Sequence, residues 1–258
     1  MKILIIGAGP GGYETALAAA GRGVEVVLVE SGHVGGTCLN EGCIPTKSFC
    51  RSAQLLEQMG EAESFGVTGL SYGFDFAKVV SRKNEVVAQL RGGVESLLSH
   101  KLITLVRGKA SFKDPHTVVV GEEEYTADHI IVATGSVSAS LPVPGNDLPG
   151  VLTSREILDS ERVPGRLCII GGGVIGLEFA SVFNSFSSEV TVLEYCKEIL
   201  PRFDSDLSKR LKQSLGKKGI NISTQSQVLS IEQDGEEYRV NFLRKGKEET
   251  VVADKVLM

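Results

Sequence analysis

Gly7-Ala8-Gly9-Pro10-Gly11-Gly12 follows a short apolar run at residues 2–6 and leads into an alanine-rich segment that reaches about Arg22. The run reads as a buried parallel strand, the glycines as a tight turn and the alanines as a helix. A second strand at 24–29 then ends on Glu30. The same order returns at Leu167–Ile170, Gly171-Gly172-Gly173-Val174-Ile175-Gly176, a helix to about Phe186, a strand at 189–193 and Glu194. Gly7, Gly9, Gly12 and Glu30 recur as Gly171, Gly173, Gly176 and Glu194, each displaced by 164 residues. Such a repeat at fixed offset means one supersecondary unit used twice.

Each unit carries the same physics. The first glycine permits the turn, the second lets backbone approach a pyrophosphate, and the third lets helix and strand pack closely. The pyrophosphate meets the unpaired N–H groups at the helix N-terminus. The carboxylate closing the second strand accepts hydrogen bonds from ribose hydroxyls. The expectation is an α/β chain of two Rossmann-like dinucleotide-binding domains with parallel sheets.

Between the repeats, 48–60 and 75–100 read as helices, the second with Val79, Val86, Leu90, Val94 and Leu97 at helical spacing. Residues 102–106, 117–120 and 124–133 read as strands, the first two parted by an Asp114-Pro115 turn. Prolines and glycines in 141–150 mark a linker, which gives domains of 1–147 and 148–258. Ala127-Asp128-His129-Ile130-Ile131-Val132 leads into Ala133-Thr134-Gly135, and Ala253-Asp254-Lys255-Val256-Leu257-Met258 repeats that lead-in. The second domain therefore reads as truncated in mid-strand, with an unpaired sheet edge exposed.

The second informative stretch is Gly35-Gly36-Thr37-Cys38-Leu39-Asn40-Glu41-Gly42-Cys43-Ile44-Pro45-Thr46-Lys47. Two cysteines just downstream of a dinucleotide fingerprint point to a disulfide that exchanges electrons with the cofactor. Proline near a helix start is well placed because its missing N–H is not needed there, and a thiolate at Cys43 would be stabilised by the helix dipole. Cys50, Cys168 and Cys196 read as packing residues. Five cysteines do not form a secreted disulfide framework, and no second close pair or histidine spacing makes a zinc site.

Hydrophobic content of 42% and charged content of 23% are those of an ordinary folded chain. A net charge of −5 argues against nucleic acid. No apolar run approaches the length of a membrane span, and glycine appears too early for a signal peptide. A cytoplasmic location is expected.

In order and spacing these motifs resemble the pyridine nucleotide–disulfide oxidoreductases, over essentially the whole chain. Cys38 to Lys47 is most similar to the dihydrolipoyl dehydrogenases among them, while mercuric, glutathione and trypanothione reductases share the architecture. The resemblance implies that the first repeat binds FAD and the second NAD. It assigns Gly7, Gly9, Gly12 and Glu30 to FAD, sets Thr37, Cys38 and Lys47 along it, and puts Gly108, Thr134, Gly135 and Ser136 at its margins. Gly171, Gly173, Gly176, Glu178, Glu194 and Val228 match the NAD site. Cys38 takes the role of the thiol that attacks substrate, Cys43 that of the flavin-facing sulfur, and Lys47 pairs with Glu178. Glu14 holds the place of Glu178 in the first repeat, so a plain helix-start carboxylate stays open as an alternative. Glu194 favours NAD, since a carboxylate there repels a 2′-phosphate.

The implied reaction passes electrons from dihydrolipoamide through a Cys38–Cys43 redox disulfide and FAD to NAD, and the implied partner is a lipoyl-bearing carrier protein or a small disulfide substrate. None of the four histidines matches the family's base, which belongs to a C-terminal dimerisation domain and comes from the other subunit of a homodimer. An FAD-binding module without turnover, or a mercuric- or glutathione-type reductase, are the other readings.

Overall fold

A computed structural model describes residues 1–258, which fall into two compact units. The first comprises Met1–Pro45 with Arg82–Val137, the second Thr46–Ser81 with Ser138–Met258. The compact division thus lies at 137/138, and 46–81 group with the C-terminal portion, which differs from the 147/148 boundary read from the sequence.

In the first unit, β1 (Lys2–Ile6), β2 (Glu25–Glu30), β3 (Ile103–Arg107) and β7 (His129–Val132) form a parallel sheet in the order β3-β2-β1-β7. Alternation along β1 and β2 feeds two cores. Ile5 and Leu28 pack with Ala16 and Ala20 of α1 (Pro10–Ala20) and with Val87, Val94 and Leu98 of α4 (Phe76–Leu98). Leu4, Val27 and Val29 point to the other face, onto Val118 and Val120. Those two belong to a three-stranded antiparallel sheet of β4 (Ala110–Asp114), β5 (Thr117–Val120) and β6 (Glu123–Thr126). The result is three layers: helices, parallel sheet, antiparallel sheet.

Two expectations need correction here. The run 124–133 is not one strand: Ala127-Asp128 redirects the chain from β6 to β7, and Asp128 Oδ2 accepts the Lys2 N–H at 2.7 Å, tying the corner to β1. The Asp114-Pro115 turn joins β4 to β5, and β4 was not anticipated.

The second unit repeats the plan. Its parallel sheet runs β11-β10-β9-β15-β8, with β8 (Val151–Leu152), β9 (Arg166–Ile170), β10 (Glu189–Glu194), β11 (Asn221–Thr224) and β15 (Lys255–Leu257). Leu167, Ile169, Val190 and Val192 pack under α5 (Val174–Ser185), where Phe179 and Phe183 join Phe49, Phe76 and Phe186. Phe49 and Phe186 meet edge to face at 6.0 Å between ring centroids. Each such fully buried ring contributes about 1.5–3 kcal/mol, so this aromatic group binds 46–81 to the unit. On the opposite face β12 (Ser226–Asp234), β13 (Glu237–Arg244) and β14 (Lys247–Ala253) form the antiparallel layer. Helix α6 (Ser205–Lys217) completes the helical side, its start capped by Asp204, whose side chain accepts the Asp206 N–H.

The stretch 141–150 is packed rather than a free linker. Leu141, Val143 and Leu148 join the core of Val228, Ile231, Tyr238 and Phe242, and Pro144 O accepts the Ile231 N–H at 2.9 Å. The expected open edge is also absent at β15, which pairs with β9 on one side and β8 on the other.

Candidate functional site

In the first unit the glycine loop is fixed by backbone contacts a side chain would block. Gly7, at φ +101°, lies where a Cβ would come within 2.3 Å of Ala133 O. A Cβ on Gly12 would fall 1.7 Å from Gly7 O, so α1 can start this close to β1 only with glycine there. Glu30 ties the loop to the end of β2: Oε2 accepts the Ala8 N–H and Oε1 the Gly32 N–H, both at 2.7 Å. Gly108 N–H donates to Glu30 O at 2.9 Å, which brings the end of β3 to the same place. Thr134, Gly135 and Ser136 are exposed in the chain that leaves β7.

The second unit repeats this network. Glu194 Oε2 accepts the Gly172 N–H and Oε1 the Cys196 N–H, both at 2.6 Å, each partner displaced by the same 164 residues. A Cβ on Gly176 would lie 2.2 Å from Gly171 O, the same helix–strand approach as at Gly12. Gly173, the residue before α5, has nothing within 4 Å of its Cβ direction. That leaves the approach to a helix N-terminus open to an anionic group. Glu194 is 7% exposed and its oxygens face backbone donors. Val228 is a core residue, packed with Leu193 and Phe242.

Cys38 lies in the short helix α2 (Gly36–Asn40), and Cys43 is the first residue of α3 (Cys43–Glu61). The turn between them is tight: a Cβ on Gly42 would stand 3.0 Å from Thr37 O and 3.4 Å from Cys38 Cα. Asn40 fixes α2 by donating to Val34 O and Gly36 O, each at 2.9 Å, and Arg91 Nε donates to Asn40 Oδ1 at 2.8 Å. Cys43 is exposed and Cys38 half-buried. Tyr13 lies near Cys38. Burial, a hydrogen bond with Glu14, the Glu14 charge and the Cys38 charge all push its phenol up.

Lys47, one turn into α3, forms an ion pair with Glu178 of α5. Beside the pair is a cleft of about 370 Å³, lined by Cys50, Gln54, Glu57 and Ser181 among others. Burial, then the Glu178 charge, push the Cys50 thiol up, against the lowering effect of Lys47. Cys50 is therefore a neighbour of the pair as well as a packing residue. Its spacing of seven from Cys43 and three from Lys47 was the available signal. Cys196 was also missed. A hydrogen bond with Glu194, then burial and the carboxylate's charge, push this thiol up, where the first repeat has Gly32. Cys168 does behave as packing, with burial pushing it up to about 12.

The profile of the pyridine nucleotide-disulphide oxidoreductases matches residues 1–258. The chain belongs to that family. It is 42% identical over 262 residues to a dihydrolipoyl dehydrogenase of Acholeplasma laidlawii, a match covering 100% of this chain and 77% of that protein. Against the dihydrolipoyl dehydrogenase of Staphylococcus aureus the identity is 38% over 261 residues, covering 99% of this chain and 55% of the relative. Among solved structures, the HOCl-induced flavoprotein disulfide reductase RclA of Escherichia coli superposes with a TM-score of 0.86 at 33% identity, covering 100% of this chain and 55% of that one. The chain thus spans little more than half the length of several relatives it matches. The family is one of flavin-dependent oxidoreductases that use FAD and NAD(P), and this member stands close to its dihydrolipoyl dehydrogenases. No helix is long and apolar enough to cross a membrane.

Proposed function

We propose that this chain carries the electron-transfer half of a dihydrolipoyl dehydrogenase, oxidising a dithiol substrate with NAD as final acceptor. The observation that carries the reading is the start of α3: Cys43 opens the helix, and Lys47 one turn on is held by Glu178. In the oxidised form Cys38 and Cys43 share a disulfide. A substrate thiolate attacks Cys38 Sγ, the S–S bond breaks, and Cys43 leaves as a thiolate at the helix N-terminus, where free N–H groups stabilise it. The second substrate thiol then attacks its partner sulfur in the mixed disulfide. Cys38 is released, and the substrate leaves as a disulfide, two electrons poorer.

Gly7, Gly9, Gly12 and Glu30 would hold FAD, with Gly108, Thr134, Gly135 and Ser136 at its edges. Gly171, Gly173, Gly176 and Glu194 would hold the nicotinamide nucleotide. Bound there, the two cofactors supply two-electron acceptance from the dithiol and hydride transfer. Lys47 places a positive charge for the developing negative charge of a reduced ring, and Glu178 fixes the lysine's position. A lipoyl group on a carrier protein fits the relatives' names.

Anaerobic titration of the FAD-loaded chain with dihydrolipoamide tests this reading. A long-wavelength thiolate–flavin absorption band should grow in and be lost in Cys43→Ser. A chain that stays colourless in excess FAD overturns the cofactor assignment. A yellow chain without the band overturns the cysteine roles.

A further inference from the structure

Around the C-terminal end of β11, away from the Cys38–Cys43 pair, lie polar side chains from four elements: Lys212 of α6, Thr224 of β11, Ser226 of β12 and Arg244 of β13. Lys212 of α6 donates from Nζ to Thr224 Oγ1 at 3.2 Å. Ser226, the first residue of β12, pairs in register with Arg244 at the end of β13, so both side chains stand on one face of that ladder. Burial, and after it the charge of nearby Arg244, push the Lys212 amine down. Lys247 stands directly opposite Arg244 in the β13–β14 ladder. The one carboxylate in ion-pair range of Arg244 is Glu249, whose Oε2 lies 3.9 Å from Nη1.

The hydrogen-bonding balance is uneven. Ser226 is 2% exposed and its Oγ has no partner; the buried Nε of Arg244 has none either. Ser208, one turn before Lys212 on α6, is 1% exposed with its Oγ equally unpartnered. Buried polar groups in native folds are almost always paired. Lysine and arginine only donate, and a threonine hydroxyl that accepts one bond keeps its own proton to give. The shared need is for an acceptor carrying negative charge. A tetrahedral oxyanion meets it, with several acceptor oxygens for a cluster of donors and charge for two cations that otherwise repel.

We infer that Lys212, Thr224, Ser226 and Arg244 form a binding site for a single oxyanion of the phosphate or sulfate class. This site is separate from the dinucleotide loops and does not depend on the proposed reaction. The anion could be free or carried on a nucleotide. The geometry favours the free ion. Gln227 and Leu243, the next pair along the ladder, point to the other face of the sheet and there line a cleft with Tyr195 and Cys196, beside Glu194. A phosphate on a ribose held at Glu194 would therefore lie across the sheet from Ser226 and Arg244.

Thermal melts of the whole chain in sodium phosphate and in sodium chloride, at matched ionic strength and pH, test the site. Phosphate should raise Tm by about 2–4 °C. The rise should vanish in Lys212→Gln and in Arg244→Gln, while 2′,5′-ADP should give no rise that these variants lose. Isothermal titration of phosphate into folded Lys212→Gln, whose lysine is half-buried on a helix, gives the second readout: heat seen with the parent chain should be absent. No rise, or a rise that persists in both variants because phosphate sits at a glycine loop, overturns the inference. A rise produced by 2′,5′-ADP alone overturns the free ion as ligand.

Discussion

Lys47 on α3 and Glu178 on α5 are joined as an ion pair across 131 residues of sequence, yet the lysine side chain is 61% exposed. Exposed pairs of this kind stabilise a fold by about 0–1 kcal/mol. The pair is better placed to position a charge than to hold the two helices together. Glu178→Gln should leave Tm within about 2–4 °C of the parent. The same change should slow reduction of bound flavin by dihydrolipoamide roughly 10- to 100-fold, as a displaced catalytic charge does. Stopped-flow reduction and a thermal melt on one preparation decide it. An unchanged rate with a clearly lowered Tm would show that the pair is structural.

The glycines of the two loops divide by what a methyl group would strike. At Gly12 and Gly176 it would meet a carbonyl oxygen at 1.7 and 2.2 Å, so Gly12→Ala or Gly176→Ala must push α1 or α5 off its strand. Each should cost about 3 kcal/mol of stability. At Gly173, with φ −79° and open space ahead, alanine should be tolerated by the fold. It should instead weaken NADH binding about 10-fold, close to 1.4 kcal/mol, by filling the approach to the helix N-terminus. Urea melts and fluorescence titration separate the two classes. Equal destabilisation at all three positions would refute the division.

Thiol labelling should sort the cysteines by surroundings. Cys43 is exposed at the start of α3 and should react first with iodoacetamide at pH 8. Cys50 and Cys196 should lag, since burial in one case and the Glu194 hydrogen bond in the other hold their thiols protonated. Cys168 has no exposed surface and should label only after unfolding. Mass spectrometry of tryptic peptides over a time course gives the order. Early labelling of Cys168 would contradict its place in the core.

Much of this was legible because the deciding constraints are local. Gly7, Gly12 and Glu30 recur 164 residues on because a strand–turn–helix leaves only glycine in two places and sets the carboxylate against the loop's own N–H groups. The antiparallel layers were less legible. Ala127-Asp128 interrupts an extended run without a proline or glycine, and only the Lys2 N–H bond to Asp128 shows why the chain turns there. The glycines and prolines of 141–150 look like a linker, but Gly150 is small because the Tyr238 ring lies where its Cβ would be, at 2.1 Å. Long-range partners such as Ser226 and Arg244 leave no trace in spacing.

Asp254 provides a pH test of the second unit. Its Oδ2 accepts the Arg166 N–H at 2.8 Å, as Asp128 accepts that of Lys2, but Arg166 also reaches it with its guanidinium, at 2.5 Å to Oδ1. Burial alone would raise this carboxyl; the Arg166 side-chain and backbone hydrogen bonds and the arginine's charge outweigh burial and hold it below the usual range. A depressed carboxyl contributes stability that is fully present above its unfolded value, about 3.9, and is lost as pH falls through the folded value. Asp254→Asn should therefore melt about 2–4 °C below the parent at pH 7, and the gap should close as pH is lowered from about 4 towards 2. Glu57, Glu156 and Asp114 are also held low, so the informative quantity is the difference between the two curves. A gap that stays constant across this range would mean that Asp254 acts through shape and backbone contact alone.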